Sequence, residues 1–347
     1  MGATATQIIT SVPLAAGTGN VTVNVKGNMA TGPSFAYQQA EVVSTLVIPG
    51  PQAGIGVATG NFRPAGLATD AAGNIYVADK GANVIRKITP QGAVSVFAGG
   101  AAGTVDGTGT AAGFIQPTDL AFDSAGNLFV CDNGGLLIRK ITPSGVVTTF
   151  AGNGRSEVTN GTGTAASFSN ALGIAIDGSD NIFVADQGQG VIRKITPNAI
   201  VTTYYSPVND GTFDPYALAV DKAGNIYVVV EQANAVEKIS TSGQKSLFAG
   251  GNFLANHIDG TANAAAFNNP YAITIDANGN LYVLDSDRTI RKITPAQVVT
   301  TFSGGEPTQI DGPIATVTYQ DLYGIAFDSA GNIYLSDNGE IRKISFE

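Results

Sequence analysis

One short segment recurs six times along this chain, with copies starting at Gly66, Asp119, Gly173, Ala217, Ala272 and Gly324. The second copy reads DLAFDSAGNLFVCDNGGLLIRKITP and the third reads GIAIDGSDNIFVADQGQGVIRKITP. A unit repeated in this way predicts an array in which each copy is one structural element that packs on its neighbours. We therefore expect the residues that all copies share to be scaffold, and we look for function where the copies differ.

The second copy shows what one unit folds into. Four apolar or β-branched runs, at 120–122, 128–131, 137–141 and 146–150, are separated by turns rich in Asp, Asn and Gly. This pattern predicts a four-stranded antiparallel meander. Such a sheet cannot bury both faces alone, so the six units are expected to pack face to face as an all-β, six-bladed β-propeller.

The two ends of the array complement each other. The last copy stops after its third strand, at 341–345, whereas residues 42–47 resemble the fourth strand of the second copy. We predict that this N-terminal strand completes blade six, which removes an open sheet edge. The expected division is a propeller over residues 42–347, preceded by a separate β segment over residues 1–41.

The shared pattern P-x-G-[IL]-A-x-D-x-x-G-N-[IL]-[YF]-V-A-D, followed by I-R-K-I, resembles the NHL repeat from about Val42 to the C-terminus. The resemblance implies a six-bladed propeller. NHL propellers include RNA-binding modules, protein-interaction platforms and metal-dependent lyases, so the family does not select one function.

Residues 20–27 and 32–37 resemble the last strands of an IPT/TIG immunoglobulin-like domain. A partial domain of this kind before NHL repeats implies a bacterial secreted or cell-envelope protein. The chain has no basic start followed by an apolar core, so we find no signal peptide in it. No apolar run reaches the roughly 18 residues of a membrane span, and none is expected.

Two sets of aspartates recur and invite a chemical interpretation. The first occupies the first hairpin of every copy, four residues before an Asn: Asp70, Asp123, Asp177, Asp221, Asp276 and Asp328. Because Asp at this place in a turn accepts hydrogen bonds from nearby backbone N–H groups, we favour a structural role over a ring of metal ligands.

The second set is matched by an arginine across the next turn. The expected pairs are Asp79 with Arg86, Asp132 with Arg139, Asp186 with Arg193, Asp285 with Arg291, and Asp337 with Arg342. In the fourth copy Val230 and Glu231 stand at the place of the aspartate and Glu237 at that of the arginine. Since both partners are lost together, we interpret the pairs as charge-assisted bonds within each blade.

A second repeated sequence lies in the glycine-rich connectors between blades, at 106–114, 160–168 and 259–267. They match neither a phosphate-binding loop nor a calcium-binding loop. We predict structural connectors whose Phe114, Phe168 and Phe267 pack between blades.

The copies differ just before the shared small-Leu/Ile motif, at the position expected to surround the central mouth. The six residues there are Ala65, Thr118, Leu172, Tyr216, Tyr271 and Tyr323. Three consecutive blades thus carry tyrosine, and at the next position Asp119 is the one charged residue. Tyr216, Tyr271, Tyr323, Asp119 and Glu231 are the candidate ligand-binding residues, because tyrosine combines apolar area with a hydroxyl group. The alternative is that the tyrosines pack beneath their own connectors. The short connector 206–211 of the fourth copy predicts a lower rim there.

Composition limits the function classes. A net charge of −9 disfavours a nucleic-acid partner. The only cysteine, Cys131, is expected to be a small buried residue, and His257 is the only histidine. No catalytic residue, metal ligand or cofactor is assigned. We expect a monomeric, non-catalytic, secreted or envelope propeller that binds a glycan or a protein. The alternatives are a metal-dependent lyase or lactonase-like hydrolase with calcium near Asp119, and a structural spacer.

Overall fold

The computed structural model describes residues 19–25, 28–35, 41–49, 56–58, 61–207, 213–251, 257–305, 311–314 and 316–346. Within the first 41 residues, β1 (Gly19–Val25) and β2 (Asn28–Phe35) form an antiparallel hairpin. Parts of the IPT/TIG-like stretch lie outside the described residues, so that interpretation stays a prediction. The next strands are β3 (Glu41–Pro49) and β4 (Gly56–Ala58), which pair in parallel.

Six antiparallel sheets then follow one another, each with its first long strand innermost. Blade one contains β5 (Pro64–Thr69), β6 (Ile75–Asp79), β7 (Val84–Ile88) and β8 (Val94–Gly99). Blade two contains β9 (Gly107–Thr108), β10 (Pro117–Phe122), β11 (Leu128–Asp132), β12 (Leu137–Ile141) and β13 (Val146–Ala151). Blade three contains β14 (Gly161–Thr162), β15 (Ala171–Ile176), β16 (Ile182–Asp186), β17 (Val191–Ile195) and β18 (Ile200–Tyr205).

Blade four contains β19 (Pro215–Val220), β20 (Ile226–Val230), β21 (Ala235–Ile239) and β22 (Lys245–Gly250). Blade five contains β23 (Gly260–Thr261), β24 (Ala272–Ile275), β25 (Leu281–Asp285), β26 (Thr289–Ile293) and β27 (Val298–Gly304). Helical turns among the described residues are single 3₁₀ turns at Gly109–Ala111, Asn133–Gly135, Gly163–Ala165, Gln187–Gln189 and Ala262–Ala264.

Blade six is built from both ends of the array. It contains β28 (Gly312–Pro313), β29 (Leu322–Phe327), β30 (Ile333–Asp337) and β31 (Glu340–Phe346). Strand β3 lies between β31 and β28, with Val43 opposite Ile344 and Thr45 opposite Arg342. The predicted six-bladed propeller and its closure by an N-terminal strand are confirmed.

The hydrophobic core formed by the described residues consists of six clusters, each shared by two adjacent blades. One of them joins blade six to blade one through Ala326 and Leu67, which closes the ring. Phe114, Phe168 and Phe267 are each at most 1% exposed and belong to the clusters between blades one and two, two and three, and four and five. The prediction that they pack between blades is confirmed.

The first set of aspartates stabilises hairpins, as predicted. The Asp123 carboxylate accepts the backbone N–H groups of Ala125 (3.0 Å) and Asn127 (2.7 Å), and the side-chain amide of Asn127 donates to its second oxygen (2.7 Å). The same turn geometry is present at Asp70, Asp177, Asp221, Asp276 and Asp328. These carboxylates are therefore committed to their own turns.

The second set of aspartates lies beside the arginines in the interior. The shortest nitrogen–oxygen distances are 2.7 Å for Asp79–Arg86, 3.3 Å for Asp132–Arg139, 3.7 Å for Asp186–Arg193, 3.6 Å for Asp285–Arg291 and 3.0 Å for Asp337–Arg342. Every one of these ten side chains is buried. Each aspartate also accepts backbone N–H groups from the start of the blade, as Asp186 does from Asn170 at 2.7 Å.

The arginines have a second task that the sequence did not reveal. Arg139 donates to the carbonyl oxygens of Gly113 (2.9 Å) and Val105 (3.1 Å) and to the Asp106 carboxylate (2.7 Å). Its guanidinium lies over the ring of Phe114, 5.4 Å from the centroid. Arg193 and Arg291 hold their own connectors in the same way. The repeated connector sequence thus supplies the groups to which the buried arginine donates its hydrogen bonds.

Blade four replaces this arrangement with a different one. Glu237, at the arginine's place, accepts a salt bridge from Lys245 on the neighbouring strand at 2.8 Å. The ammonium of Lys245 lies 5.4 Å from the centroid of Phe213. The cation that stands on the interblade aromatic ring therefore comes from β22, while β21 supplies the acid.

We expect Arg193→Met to lower the free energy of unfolding by about 3–5 kcal/mol, because it leaves the buried Asp186 carboxylate without its cation. Lys194→Met is the matched control, since Lys194 is half-buried and its ammonium contacts Phe183 on the same blade. Its loss should stay within about 1 kcal/mol. Urea unfolding of both variants measures the difference, and equal losses would contradict the assigned role of Arg193.

Candidate functional site

A cavity of about 100 Å³ lies where the six inner strands begin. Its wall includes the position just before the shared motif in every blade: Ala65, Thr118, Leu172, Tyr216, Tyr271 and Tyr323. These six residues hold the same repeat position, at the start of the inner strand or, for Tyr271, immediately before it. The three tyrosines and Asp119, which the sequence singled out, therefore lie on one wall.

The inner strands approach one another too closely for most side chains at the next position. A Cβ atom on Gly324 would lie 2.3 Å from the carbonyl oxygen of Ala65, and one on Gly66 would lie 2.2 Å from Oδ1 of Asp119. Small residues are therefore required around the axis, and they keep the cavity narrow. Asp119 occupies space that its glycine neighbour leaves free.

The Asp119 carboxylate is held by backbone amides. Oδ2 accepts the N–H of Ile174 in blade three (3.0 Å), and Oδ1 accepts the N–H of Leu120 (2.9 Å). Burial raises the pKa of Asp119 to about 7, against the lowering effect of these two hydrogen bonds. Asp119 therefore links blade two to blade three.

The three tyrosines differ in the exposure of their side chains and in the hydrogen bonds of their hydroxyl groups. The Tyr271 hydroxyl donates to the carbonyl oxygen of Leu322 (2.6 Å), which ties blade five to blade six, and burial raises its pKa well above the usual value. Tyr323 is 41% exposed, and the Lys80 ammonium lies over its ring. Tyr216 is half-buried, and burial, Glu231 and Asp214 raise its pKa.

Glu231 stands beside the cavity rather than in its wall. It is half-buried, and burial together with Asp214 raises the pKa of its carboxyl group. Gln232 donates to the Asp214 carboxylate at 3.3 Å. The rim of blade four is therefore acidic next to Tyr216. Residues 208–212 of its connector lie outside the described residues, so the predicted low rim stays a prediction.

Sequence reasoning missed two basic residues on the rim of blade one. Arg63 and Lys80 line a second cavity of about 350 Å³, whose wall also includes Tyr323. The signal was available, because Arg63 corresponds to Asp214 of blade four and Lys80 corresponds to Glu231. Comparing the copies at these two positions separates a basic blade from an acidic one.

His257 and Cys131 lie away from the cavity wall. Nδ1 of the half-exposed His257 lies 2.6 Å from the Asp287 carboxylate in blade five. Cys131 is a buried core residue, as expected. Among the described residues, no three acidic, His or Cys side chains are grouped closely enough to hold a metal ion. No helix in the described ranges is long and apolar enough to cross a membrane.

Neither a family model nor a curated protein matches this chain. The NHL and IPT/TIG resemblances accordingly stay predictions. Similarity is found among solved structures. A Bacteroides thetaiotaomicron protein of unknown function has a TM-score of 0.72 at 20% identity, with 95% of this chain and 82% of that one covered.

An auxiliary nutrient binding protein from Bacteroides thetaiotaomicron has a TM-score of 0.69 at 16% identity, covering 95% of this chain and 84% of that one. Virginiamycin B lyase from Staphylococcus aureus has a TM-score of 0.59 at 17% identity, covering 83% and 96%. A variant of that lyase with one histidine replaced by alanine is catalytically inactive. At these identities the likenesses establish the propeller fold and no more.

Asp119 should make stability depend on pH. Its folded-state pKa of about 7 exceeds the unfolded value of about 4, so the folded state binds more protons between these limits. Stability from this group is therefore present at low pH and lost as pH rises from about 4 to about 7. Asp119→Asn removes the titrating group, so the variant should gain stability relative to wild type across this window.

Urea unfolding of both proteins at about pH 4.5 and about pH 7.5 measures this change. Burial also raises the pKa of Asp132 and Asp285, to about 6 and about 7, but both groups are present in each protein. The difference between the two proteins therefore isolates Asp119. A difference that does not change with pH would refute the assignment.

Proposed function

We propose that this chain is a non-catalytic binding protein of the extracellular space or cell envelope, and that it engages a glycan or a protein at the central mouth. The observation that carries the proposal is the shared wall of Tyr216, Tyr271 and Tyr323, with Tyr323 41% exposed. A concave site with a few aromatic and polar groups is the usual form of a small-ligand pocket, and tyrosine rings stack on sugars as well as on peptides. The likeness to an auxiliary nutrient binding protein supports this by analogy of fold.

The second candidate is a metal-dependent lyase or a lactonase-like hydrolase with calcium near Asp119. Asp119 does line the cavity, which favours it. Against it, Asp119 is the single acidic residue among those that line the cavity, and His257 pairs with Asp287 outside the cavity wall. A structural spacer, the third candidate, accounts for the buried hydroxyl of Tyr271 but not for the exposed ring of Tyr323.

The test is binding on a glycan array and in pull-downs, with wild type compared with a double Tyr216→Ala, Tyr323→Ala variant. Two truncated anchors should weaken binding by roughly tenfold or more. Tyr271→Phe keeps the ring and removes only the interblade hydrogen bond, so its effect should appear in stability. Leu247→Ala, at an exposed apolar residue on the outer strand β22, is the control and should bind normally.

Unchanged binding by the double tyrosine variant would reject the proposed mouth. A calcium-dependent rise in melting temperature that Asp119→Asn abolishes would instead favour the metal-dependent enzyme. Absence of any ligand on either assay would favour the spacer.

A further inference from the structure

Two cationic residues of blade one adjoin each other at the edge of the mouth. The backbone N–H of Lys80 donates to the carbonyl oxygen of Arg63 at 3.1 Å, and both residues are exposed. They line the cavity of about 350 Å³, and Lys80 and Tyr323 also line the central cavity. Lys80 and Tyr323 therefore form part of the wall of both cavities.

These charges differ from the five interior arginines of the propeller. The five interior arginines each have an aspartate partner, whereas among the described residues neither Arg63 nor Lys80 has a carboxylate within salt-bridge distance. The nearby Asp79 is not available to them, because it is buried and its Oδ2 binds Arg86 at 2.7 Å. Partial burial of the Lys80 ammonium in the cavity wall and the charge of Arg63 lower the pKa of Lys80. An anion between the two side chains would remove this repulsion.

Tyr323 connects the charges to the aromatic wall. The Lys80 ammonium lies 5.1 Å from the centroid of its ring, a cation–π contact that keeps the charge beside the opening. The Arg63 guanidinium offers the forked donors that suit carboxylate and sulfate groups. A sugar ring stacked near Tyr323 would thus place its substituents within the cavity lined by Arg63 and Lys80, here called the cationic pocket.

The opposite rim has the opposite charge. Asp214 and Glu231 of blade four occupy the repeat positions of Arg63 and Lys80, and blade four lies three blades away in a ring of six. Asp321 of blade six also occupies the repeat position of Arg63, and burial together with Asp321 raises the pKa of Tyr323. An anionic group is therefore attracted to the blade-one side of the mouth and repelled from the blade-four side and from Asp321. The charge pattern therefore gives a ligand one orientation.

Size also argues for use of both cavities. At about 100 Å³, the central cavity is smaller than the roughly 300–1,000 Å³ typical of ligand sites, and the neighbouring cavity supplies the missing volume. A ligand that extends from the central cavity past Tyr323 enters the cavity lined by Arg63 and Lys80.

We propose that the ligand is an acidic saccharide, whose carboxylate or sulfate group binds Arg63 and Lys80 while its ring packs at Tyr323. This inference rests on the proposed binding function of the mouth and adds the class of ligand.

The experiment is an affinity comparison by calorimetry, with trigalacturonate, its neutral methyl ester, a sulfated oligosaccharide and inorganic sulfate as probes. The acidic saccharides should bind, the neutral ester should bind at least tenfold more weakly, and affinity should fall as salt is raised. A double Arg63→Ala, Lys80→Ala variant should lose roughly tenfold or more. Arg63→Lys should keep part of the affinity, since the charge remains.

Lys222→Ala is the control, because Lys222 is an exposed lysine of blade four that donates to the carbonyl oxygen of Ala277. It should bind as wild type, and both it and the double variant should keep the wild-type melting temperature. Glu231→Gln should raise the affinity for the acidic saccharides about two- to threefold, because it removes a repelling charge.

The proposed subsite for an acidic group would be overturned if the acidic trisaccharide and its neutral ester bound with equal affinity and if the double variant kept that affinity. The proposed binding function would remain intact. Inorganic sulfate binding as tightly as the saccharides would overturn the role of the sugar ring. If no saccharide binds and the mouth captures a protein through its tyrosines, the acidic-saccharide inference fails and the proposed function stands. If no ligand of either kind binds, both fail.

Discussion

The buried arginine on the third strand of five blades is the interaction on which the rest of the structure depends. A guanidinium removed from water needs hydrogen-bond partners. The terminal nitrogens of Arg139 find them in Asp132 of the same blade and in the connector carbonyl groups, and an aromatic face lies beside the group, while its buried Nε has no partner among the described residues. One side chain thus sets the position of the second hairpin, the connector and the interblade ring together. In blade four the same aromatic contact survives although the cation comes from Lys245 on a different strand. The feature that these blades share is therefore a cation over the aromatic ring between blades, such as Phe114 or Phe213.

Most of the fold could be predicted because repetition makes the pattern visible. Turn aspartates, alternating strands and the missing fourth strand of the last copy are local signals, and each is read correctly from one repeat and its register. The contacts of Arg139 with Val105 and Gly113 could not be predicted, since they join carbonyl groups that any residue provides. The sequence shows at Glu237 only that the arginine is lost. The replacement cation, Lys245, could not be predicted because it lies on the next strand, at a position where the other blades have no charged residue.

The candidate site was predicted in position but not in detail. Register alone places Tyr216, Tyr271 and Tyr323 on one wall, yet only coordinates show that the Tyr271 hydroxyl is committed to Leu322 and that Asp119 links two blades. Arg63 and Lys80 were missed although Glu231, at the repeat position of Lys80, was a candidate, because a charged residue in a turn is usually only a solvated one. Charge at the rim is as informative as the residues that surround the axis, and it lies only a few positions away in each repeat.

The pairing of β3 with β31 has a consequence for biogenesis. During synthesis β3 emerges before every blade strand and must wait for β31, which follows five complete blades. Until then the exposed edge of blade six and the unpaired β3 are free to pair with another chain. The late, long-range joining of the two strands is the kind of step that slows folding, because chain entropy is lost before the contact is gained. Nascent chains that stall before β31 are thus the species on which chaperones would have to act.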